Sequence, residues 1–262
     1  MKTSYIQQSD TIFYKHEISE KLPRDIYAMH THSMYELLYF LSGDATCVIE
    51  DRKYKLKKGD LILVRPMQYH FIQIDSPADY ERYNILFDPQ RDGIESALLL
   101  PHNTEVISLA GNAIADNIFK KCDMYRERCD AETFQKLLVH LLSELFYNII
   151  LFPQGSTAVG ASVSPLVAKA LSYINDNLTT ISDVDQIAKH LFVSKSNLFR
   201  CFKNALHQTP KQYITQKRLL LAKQRISLGE RPTDVCQSLG FGDYTSFYRN
   251  YVAFFGHAPS EK

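Results

Sequence analysis

The sequence lacks paired cysteines, a marked excess of either charge and a long uninterrupted apolar segment. Its five cysteines are scattered, odd in number and include no CxxC pair, so free thiols in a reducing cytosol are expected rather than disulfides. The first ten residues hold no apolar signal-peptide region, and Leu137 to Phe152 is too short and too polar to span a bilayer. These features predict a cytoplasmic protein with no membrane partner.

The composition is that of an ordinary globular protein, with 45% hydrophobic and 23% charged residues. It excludes a disordered, collagenous or purely coiled-coil chain. The formal net charge of +1 hides an asymmetry, because residues 1–159 carry 17 Lys and Arg against 22 Asp and Glu, whereas residues 160–262 carry 13 against 7. A basic half joined to an acidic half predicts a nucleic-acid-binding domain attached to a second domain.

Residues 1–90 predict short β-strands. Apolar runs such as 36–41 and 61–64 are separated by turn signals such as Ser42-Gly43-Asp44. Turns roughly every 8–12 residues are typical of a β-sandwich or barrel. The N-terminal half is therefore predicted to be a β-domain.

The apolar spacing becomes helical after residue 105, and a wide apolar stripe between Ala131 and Phe152 predicts a long helix that Pro153 ends. Two interpretations of this helix and its predecessor stay open. They cover the β-domain, or they form a homodimer interface, which the breadth of the stripe favours. Residues 153–165 are rich in small residues, Gly and Pro, and predict a flexible linker.

A first helix-turn-helix unit follows the linker. A short helix capped by Ser182 leads through the turn Phe192-Val193-Ser194 to a second helix that buries Leu198 and Phe202. Polar and basic exposure on the second helix is typical of a DNA-recognition helix. The exposed face is predicted to carry Lys195, Ser196, Asn197, Phe199, Arg200 and Lys203.

The same pattern recurs near the C-terminus. A short helix capped by Thr233 leads through Gly240-Phe241-Gly242 to a helix capped by Asp243, which buries Phe247 and Tyr251. The exposed face of that helix is predicted to carry Tyr244, Thr245, Tyr248, Arg249 and Asn250.

A third helix, from Pro210 to Leu228, separates the two units. About 20 helical residues span roughly 30 Å, close to the roughly 34 Å of one DNA turn. The spacer therefore suits two recognition helices in successive major grooves. The repeat, its caps and its spacer together predict DNA binding far more specifically than one such unit.

Residues 166–259 resemble the DNA-binding domain of AraC/XylS-type bacterial transcription regulators. The resemblance rests on Ile187-Ala188, Leu191, Val193-Ser194, Leu198, Arg200, Phe202-Lys203, Pro210, Tyr213, Arg218, Ala222, Leu239-Gly240-Phe241, Asp243, Phe247, Arg249, Phe255-Gly256 and Pro259. It implies two helix-turn-helix units joined by a central helix, with double-stranded promoter DNA and RNA polymerase as partners. The base-contacting positions of the family fall here on Ser196, Phe199, Arg200, Tyr244, Thr245, Tyr248 and Arg249.

Two positions depart from the family pattern. Phe199 stands where a small or polar residue is usual, and it either touches a thymine methyl group or belongs to the core. Val252 replaces a frequent basic residue, so one phosphate contact is expected to be absent.

The acidic half carries a histidine motif. His30, His32 and Glu36, followed by Gly43, fit the cupin pattern HxHx3Ex6G, and the segment ending at His70 resembles the second cupin motif. Alternate residues of a strand share a face, so the three histidines and the glutamate are expected to converge on one cavity. The pattern is incomplete, because the residues at its other positions differ: Arg24, Gln68 and Ile74.

Three roles for this cluster stay open. It holds a divalent metal, it lines a pocket for an organic effector, or it is a hydrogen-bonded core. Aromatic residues on the predicted strands would suit a sugar or other small molecule, although each is equally explained as core. The effector pocket is expected to comprise His30, His32, Glu36, His70, Tyr39 and Tyr83.

Together these features predict a two-domain α+β protein. Residues 1–152 are predicted to form a cupin-like β-barrel with a helix pair, and this domain senses an effector and dimerises. Residues 153–165 form a linker, and residues 166–262 form an all-α DNA-binding domain. The predicted function is an effector-controlled transcription regulator and not an enzyme, because no acid, base or nucleophile set accompanies the four metal-type residues. A metal-dependent cupin enzyme with an appended regulatory domain and a ligand-independent regulator are the alternatives.

Overall fold

The chain folds into two units in a computed structural model. The structure describes residues 2–8, 12–26, 30–101, 104–153, 160–162 and 164–260. The two units comprise Met1–Ile49 with Lys53–Ala161, and Glu50–Arg52 with Ser162–Lys262. Residues 154–159 and 163, in the predicted linker, lie outside the described residues.

Most of the first unit consists of two β-sheets. The strands are β1 (Lys2–Gln8), β2 (Phe13–Leu22), β3 (Asp25–Ile26), β4 (Tyr35–Ser42), β5 (Ala45–Ile49), β6 (Arg52–Lys55), β7 (Asp60–Val64), β8 (His70–Ile74), β9 (Ala78–Phe87), β10 (Val106–Ser108) and β11 (Ala161–Ser162). One sheet has the order β1-β2-β9-β4-β7-β10 and the other β11-β6-β5-β8-β3. Strands β4 and β9 are antiparallel, with Tyr39 opposite Tyr83.

Strand β4 shows why this unit has two cores. Successive side chains of a strand point to opposite faces. Leu38 and Phe40 belong to a core that also contains residues of the second sheet, whereas Leu37 and Tyr39 belong to a core shared with helices. Because both faces of β4 are buried, the strand has a continuous apolar run instead of an alternating one.

Two helices, α1 (Ala113–Arg128) and α2 (Ala131–Leu151), supply the helical part of that second core, and a 3₁₀ helix spans Glu95–Leu99. The apolar stripe of α2 is buried there. Its buried members are Phe134, Leu138, Leu141, Leu142, Leu145, Phe146 and Ile149. Intramolecular packing therefore explains the breadth of the stripe, which no longer supports a dimer interface, and dimerisation stays a prediction.

Helix α2 has the bounds that its sequence pattern predicts, to within one residue at its end. Its 21 residues are long and apolar enough, by length and composition, to cross a membrane, which corrects the expectation that the stretch from Leu137 to Phe152 is too short and too polar. Its buried side chains pack against sheet residues such as Leu37 and Phe87. The helix thus has the packing of a core helix.

The second unit is helical over residues 165–255, with turns between the helices. The helices are α3 (Pro165–Asp176), α4 (Val184–His190), α5 (Lys195–Leu206), α6 (Pro210–Ser227), α7 (Pro232–Ser238) and α8 (Tyr244–Phe255). Together with the β-sheet unit, they confirm the predicted α+β fold class.

Two of the predicted helix caps differ from those observed. Asp183, not Ser182, caps α4, because its side chain accepts a hydrogen bond from the Gln186 backbone nitrogen. Helix α7 begins at Pro232 without a side-chain cap, which leaves Thr233 inside the helix. A proline suits the first helical turn because it has no N–H to satisfy.

Candidate functional site

The first recognition helix, α5, has one buried and one exposed face. Ser194 caps it by accepting a hydrogen bond from the Asn197 backbone nitrogen at 3.2 Å. Leu198 and Phe202 are fully buried, as predicted. Of the predicted DNA-facing residues, Asn197 and Phe199 are half-buried, and the exposed ones are Lys195, Ser196, Arg200 and Lys203.

Two cations on this helix already have polar partners. Nη2 of Arg200 donates to Oδ1 of Asn197 at 3.0 Å, and Nζ of Lys195 lies 3.1 Å from Oδ2 of Asp185. Contacts between exposed groups are weak, so they orient the cations without withdrawing them from solvent. Both side chains stay accessible to an anionic partner.

The second recognition helix, α8, repeats the arrangement with a more aromatic surface. Asp243 caps it through the Ser246 backbone nitrogen at 2.7 Å, and Phe247 is fully buried. Tyr244 and Tyr248 are 40% and 42% exposed, with ring centroids 6.4 Å apart. Exposed Thr245, Arg249 and Asn250 complete the predicted set.

The central helix α6 joins the two helix-turn-helix units through a buried arginine. Arg218 donates hydrogen bonds to the backbone oxygens of Leu178 at 2.8 Å, Ile181 at 2.6 Å and Gly240 at 2.8 Å. The first two acceptors precede α4, and Gly240 lies between α7 and α8. The sequence singled out Arg218 only as a match to the family pattern, because its acceptors are distant along the chain.

In the first unit, the four predicted cluster residues come together. One potential ligand atom from each of His30, His32, Glu36 and His70 lies within 4.8 Å of those of the others. The backbones of His30 and His70 exchange two hydrogen bonds of 3.1 and 3.0 Å. Burial raises the pKa of Glu36, but hydrogen bonds from His32 and His70 outweigh it and hold this pKa well below its ordinary value.

A cavity of about 130 Å³ adjoins the cluster, with His30, Glu36 and His70 in its wall. Arg82 and Asn84 of β9 also line it, and the sequence analysis missed both because no motif marks them. Nδ2 of Asn84 donates to Oε1 of Glu36 at 2.7 Å. A larger surface cleft of about 380 Å³ lies beside α2 and contains none of the cluster residues.

Tyr39 and Tyr83 do not line this cavity, in contrast to the expectation. The Tyr39 hydroxyl donates to Asp116 of α1 at 2.8 Å, and the Tyr83 hydroxyl donates to Asp123 of α1 at 2.7 Å. Each tyrosine is an odd number of residues from a cavity residue on its own strand, so it points to the opposite face. The two rings belong to the core under the helices.

Asp123 is the centre of a second polar cluster, which the sequence analysis did not identify. It accepts from the hydroxyls of Tyr14 and Tyr83 at 2.8 and 2.7 Å, and its Oδ1 lies 3.1 Å from Nδ1 of His16. The other nitrogen of His16 lies 2.9 Å from Glu81. This cluster fastens α1 to strands β2 and β9.

The electrostatics of the second cluster favour charged His16 and Asp123. Burial lowers the pKa of His16, but hydrogen bonds and charges from Asp123 and Glu81 raise it above its ordinary value. Burial raises the pKa of Asp123, but hydrogen bonds from His16, Tyr83 and Tyr14 lower it below its ordinary value. Burial also raises the pKa of Tyr14.

Comparison with protein families identifies both halves of the chain. Residues 18–149 match the model of the AraC-like ligand binding domain. Residues 187–262 match the model of a helix-turn-helix domain. The first match contains the histidine cluster, and the second contains both recognition helices.

Individual relatives cover most of the chain. It is 22% identical over 252 residues to the HTH-type transcriptional activator RhaS of Yersinia pestis, covering 93% of this chain and 92% of that protein. It is 24% identical to the uncharacterised HTH-type transcriptional regulator YbfI of Bacillus subtilis, covering 86% and 81%. A solved structure of ToxT from Vibrio cholerae with bound unsaturated fatty acid has a TM-score of 0.40 and 12% identity, covering 96% and 94%.

Proposed function

The chain belongs to the AraC family of bacterial transcription regulators, and on this premise we propose that α5 and α8 read promoter DNA under the control of an effector bound beside the histidine cluster. The observation that carries the proposal is the pair of capped helices, each with a buried apolar face and an exposed polar face. Residues 1–152 would sense the effector, residues 153–165 would link the two domains, and residues 166–262 would bind DNA.

The DNA contacts are assigned to the predicted faces of the two recognition helices. Arginine binds guanine through two hydrogen bonds in the major groove, and an apolar contact recognises the thymine methyl group. Arg200 and Arg249 suit the first role, and the exposed rings of Tyr244 and Tyr248 suit the second. Phosphate or base-edge contacts are assigned to Lys195, Ser196, Asn197, Lys203 and Thr245. A contact with a thymine methyl group is assigned to the half-buried Phe199.

Binding to DNA selected from a random duplex library tests this assignment. The full chain should enrich a specific sequence, with affinity that falls steeply as salt rises, because bound cations displace condensed counterions. Arg200→Ala and Arg249→Ala should each cost about 1–3 kcal/mol of specific binding and leave the melting temperature unchanged. Lys211→Ala, at an exposed site on α6, is the matched control. Absence of an enriched sequence, or wild-type binding by both arginine variants, would contradict the proposal.

The effector is proposed to be a sugar or another small polar molecule. The cavity offers both donors and acceptors, from His30, His70, Arg82, Asn84 and Glu36, and sugar hydroxyls donate and accept. A ligand that binds only the folded state raises its stability. Thermal melting of the full chain with a panel of monosaccharides should therefore identify a stabilising compound, and Arg82→Met should abolish the shift.

The remaining partners are proposed from the family relationship. The relatives are bacterial transcription regulators, which supports a cytoplasmic protein that contacts RNA polymerase and has no enzymatic activity. For a homodimer, the exposed apolar side chains Tyr147 and Leu151 of α2 are better candidates than the buried stripe. Light scattering should give a dimer for the wild type and a folded monomer for the double variant Tyr147→Glu, Leu151→Glu.

A further inference from the structure

The two recognition helices occupy equivalent places in their helix-turn-helix units but carry different charges. Helix α5 has 12 residues, among them three exposed cations, Lys195, Arg200 and Lys203, and no acidic residue. Helix α8 also has 12 residues and carries one cation, Arg249. Two surfaces built to the same pattern therefore present very different charges to a DNA duplex.

The residues that cap the two helices increase this difference. Ser194, the cap of α5, is neutral, whereas Asp243, the cap of α8, is acidic. Hydrogen bonds from Ser246 and the charge of Arg249 hold the pKa of the Asp243 carboxyl below its ordinary value. The N-terminus of a helix attracts anions such as phosphate, and in α8 the protein's own carboxylate already lies there.

The preceding helices of the two units do not reverse the difference. With helices, turns and caps included, residues 183–206 carry four cations and two anions, whereas residues 231–255 carry two of each. Lys195 lies 3.1 Å from Asp185, but an ion pair between exposed groups is worth little and gives way to a phosphate. The first helix-turn-helix unit is therefore attracted to DNA as a whole, and the second has no net charge.

Helix α8 offers a supported aromatic surface in place of charge. Tyr244 and Tyr248 lie about one turn apart and are 40% and 42% exposed. The Tyr244 ring packs against the fully buried Phe247, with ring centroids 5.7 Å apart, and Phe241 lies 5.0 Å from Phe247. An exposed ring that rests on the core presents an apolar contact at a fixed place, as recognition of a thymine methyl group requires.

We propose that the two helix-turn-helix units have different tasks, an inference that rests on the proposed DNA-binding function. The first unit holds DNA of any sequence through Lys195 and Lys203. The second unit adds affinity only on the cognate sequence, through the apolar rings of Tyr244 and Tyr248.

The two kinds of contact differ in their dependence on salt and sequence. A lysine on a phosphate releases condensed counterions, so its contribution falls as salt rises and does not depend on the sequence. A ring against a thymine methyl group releases no counterion and requires thymine at one position. The contribution of the two rings should therefore depend on sequence and not on salt.

Two double variants of the full chain test this division of tasks. One is Lys195→Ala with Lys203→Ala, and the other is Tyr244→Ala with Tyr248→Ala. Each is titrated with the duplex selected from the random library and with a duplex of scrambled sequence. Fluorescence anisotropy at several salt concentrations gives the affinity and the slope of its logarithm against the logarithm of the salt concentration.

The two variants should differ in both readouts. Loss of the lysines should weaken binding to both duplexes by a similar factor and make the slope less steep by about 2. Loss of the rings should weaken binding to the selected duplex by about fivefold or more. It should leave both the slope and the binding to the scrambled duplex unchanged.

Each variant has a matched control. Lys57→Ala with Lys58→Ala removes two exposed lysines between β6 and β7 of the β-sheet unit, and this variant should bind both duplexes as the wild type does. Tyr244→Phe with Tyr248→Phe keeps the rings and removes the hydroxyls, and it should retain the affinity for the selected duplex.

Several results would overturn the proposal. One is equal loss of affinity for both duplexes, or a changed slope, in the tyrosine-to-alanine variant. Others are wild-type binding by that variant when circular dichroism shows it to be folded, and phenylalanine variants that bind as weakly as the alanine ones. A lysine variant weakened only on the selected duplex would also contradict it. These results refute the division of tasks while sequence selection by the wild type is retained, whereas failure of the wild type to bind either duplex would refute the DNA-binding function itself.

Discussion

Nη1 of Arg218 donates a hydrogen bond to the backbone oxygen of Gly240 at 2.8 Å, across 22 residues of sequence. Gly240 has a positive φ of +73°, and a Cβ atom at this position would lie 2.7 Å from the backbone oxygen of Thr179. The turn of the second helix-turn-helix unit is therefore packed directly against the segment that precedes the first. One buried side chain thus bonds to segments of both helix-turn-helix units, and a glycine permits their close approach.

Loss of this arginine should destabilise the helical second unit of the chain, which contains both helix-turn-helix units. In Arg218→Met, three backbone oxygens lose their donor, and leaving buried polar groups without a partner costs about 1–3 kcal/mol. We expect a lower melting temperature for the second unit, followed by weaker DNA binding at temperatures where the wild type is folded. Arg231→Met, at an exposed arginine, is the control, and equal melting of the two variants would refute this role.

Local signals made much of the second unit predictable. The side chains of Ser194 and Asp243 each bond a backbone nitrogen three residues away, so a short segment of sequence contains the whole interaction. The bonds of Arg218 depend on segments about 22 to 40 residues distant. No local pattern encodes such a contact, and the sequence could mark the residue but not its role.

The same difference between local and distant signals explains which residues of the first unit the sequence could place. The motif spacing predicted the convergence of His30, His32, Glu36 and His70. It could not place Tyr39 or Tyr83, because both faces of β4 and β9 are buried and apolar content does not distinguish them. Arg82 was missed because no motif marks it, and its position in the cavity wall follows from the alternation of side chains along β9.

The apolar stripe of α2 should behave as core. Leu145 is fully buried, so Leu145→Ala should destabilise the first unit by about 2–5 kcal/mol, as other large-to-small core changes do. Leu151 is 66% exposed on the same helix, and Leu151→Ala should change stability by no more than about 0.5 kcal/mol. Thermal unfolding of both variants checks the contrast. A small effect of Leu145→Ala would mean that the stripe is not packed as described.

The cluster of His16 and Asp123 should make the stability of the first unit depend on pH. His16 has a raised pKa, so its contribution is complete below its ordinary value of 6.5 and is lost as pH rises through the folded-state value. Asp123 has a lowered pKa, so its contribution is complete above its ordinary value of 3.8 and is lost as pH falls through the folded-state value. Between these ordinary values both contributions are present.

Melting temperatures of the wild type and of His16→Gln, measured from about pH 5 to about pH 9, test the basic side of this profile. The wild type should lose stability as pH rises above 6.5, and the loss should be smaller in the variant, whose side chain does not titrate. His140→Ala serves as a control for removal of an exposed histidine. Parallel profiles for the wild type and His16→Gln would show that His16 does not contribute.

Phe192 directly follows Leu191, the residue that caps the end of α4, just as Gly240 directly follows Leu239, the residue that caps the end of α7. It has a φ of +55° and is 95% exposed, so its backbone is strained and its ring contributes little packing. The left-handed conformation costs a residue with a Cβ atom roughly 1–2 kcal/mol, and glycine avoids it. Phe192→Gly should therefore stabilise the second unit by about 0.5–1 kcal/mol, once the greater freedom of glycine in the unfolded chain is included.

Phe192→Ala separates the backbone effect from the removal of the ring. Alanine also lacks the exposed ring but keeps the Cβ atom, so its melting temperature should stay close to that of the wild type, within about 0.5 kcal/mol. A stabilisation seen only for glycine would show that the conformation of the turn is the cause. Equal stabilisation by alanine and glycine would instead show that loss of the aromatic side chain is the cause. Destabilisation by both would show that the ring makes a stabilising contact in solution.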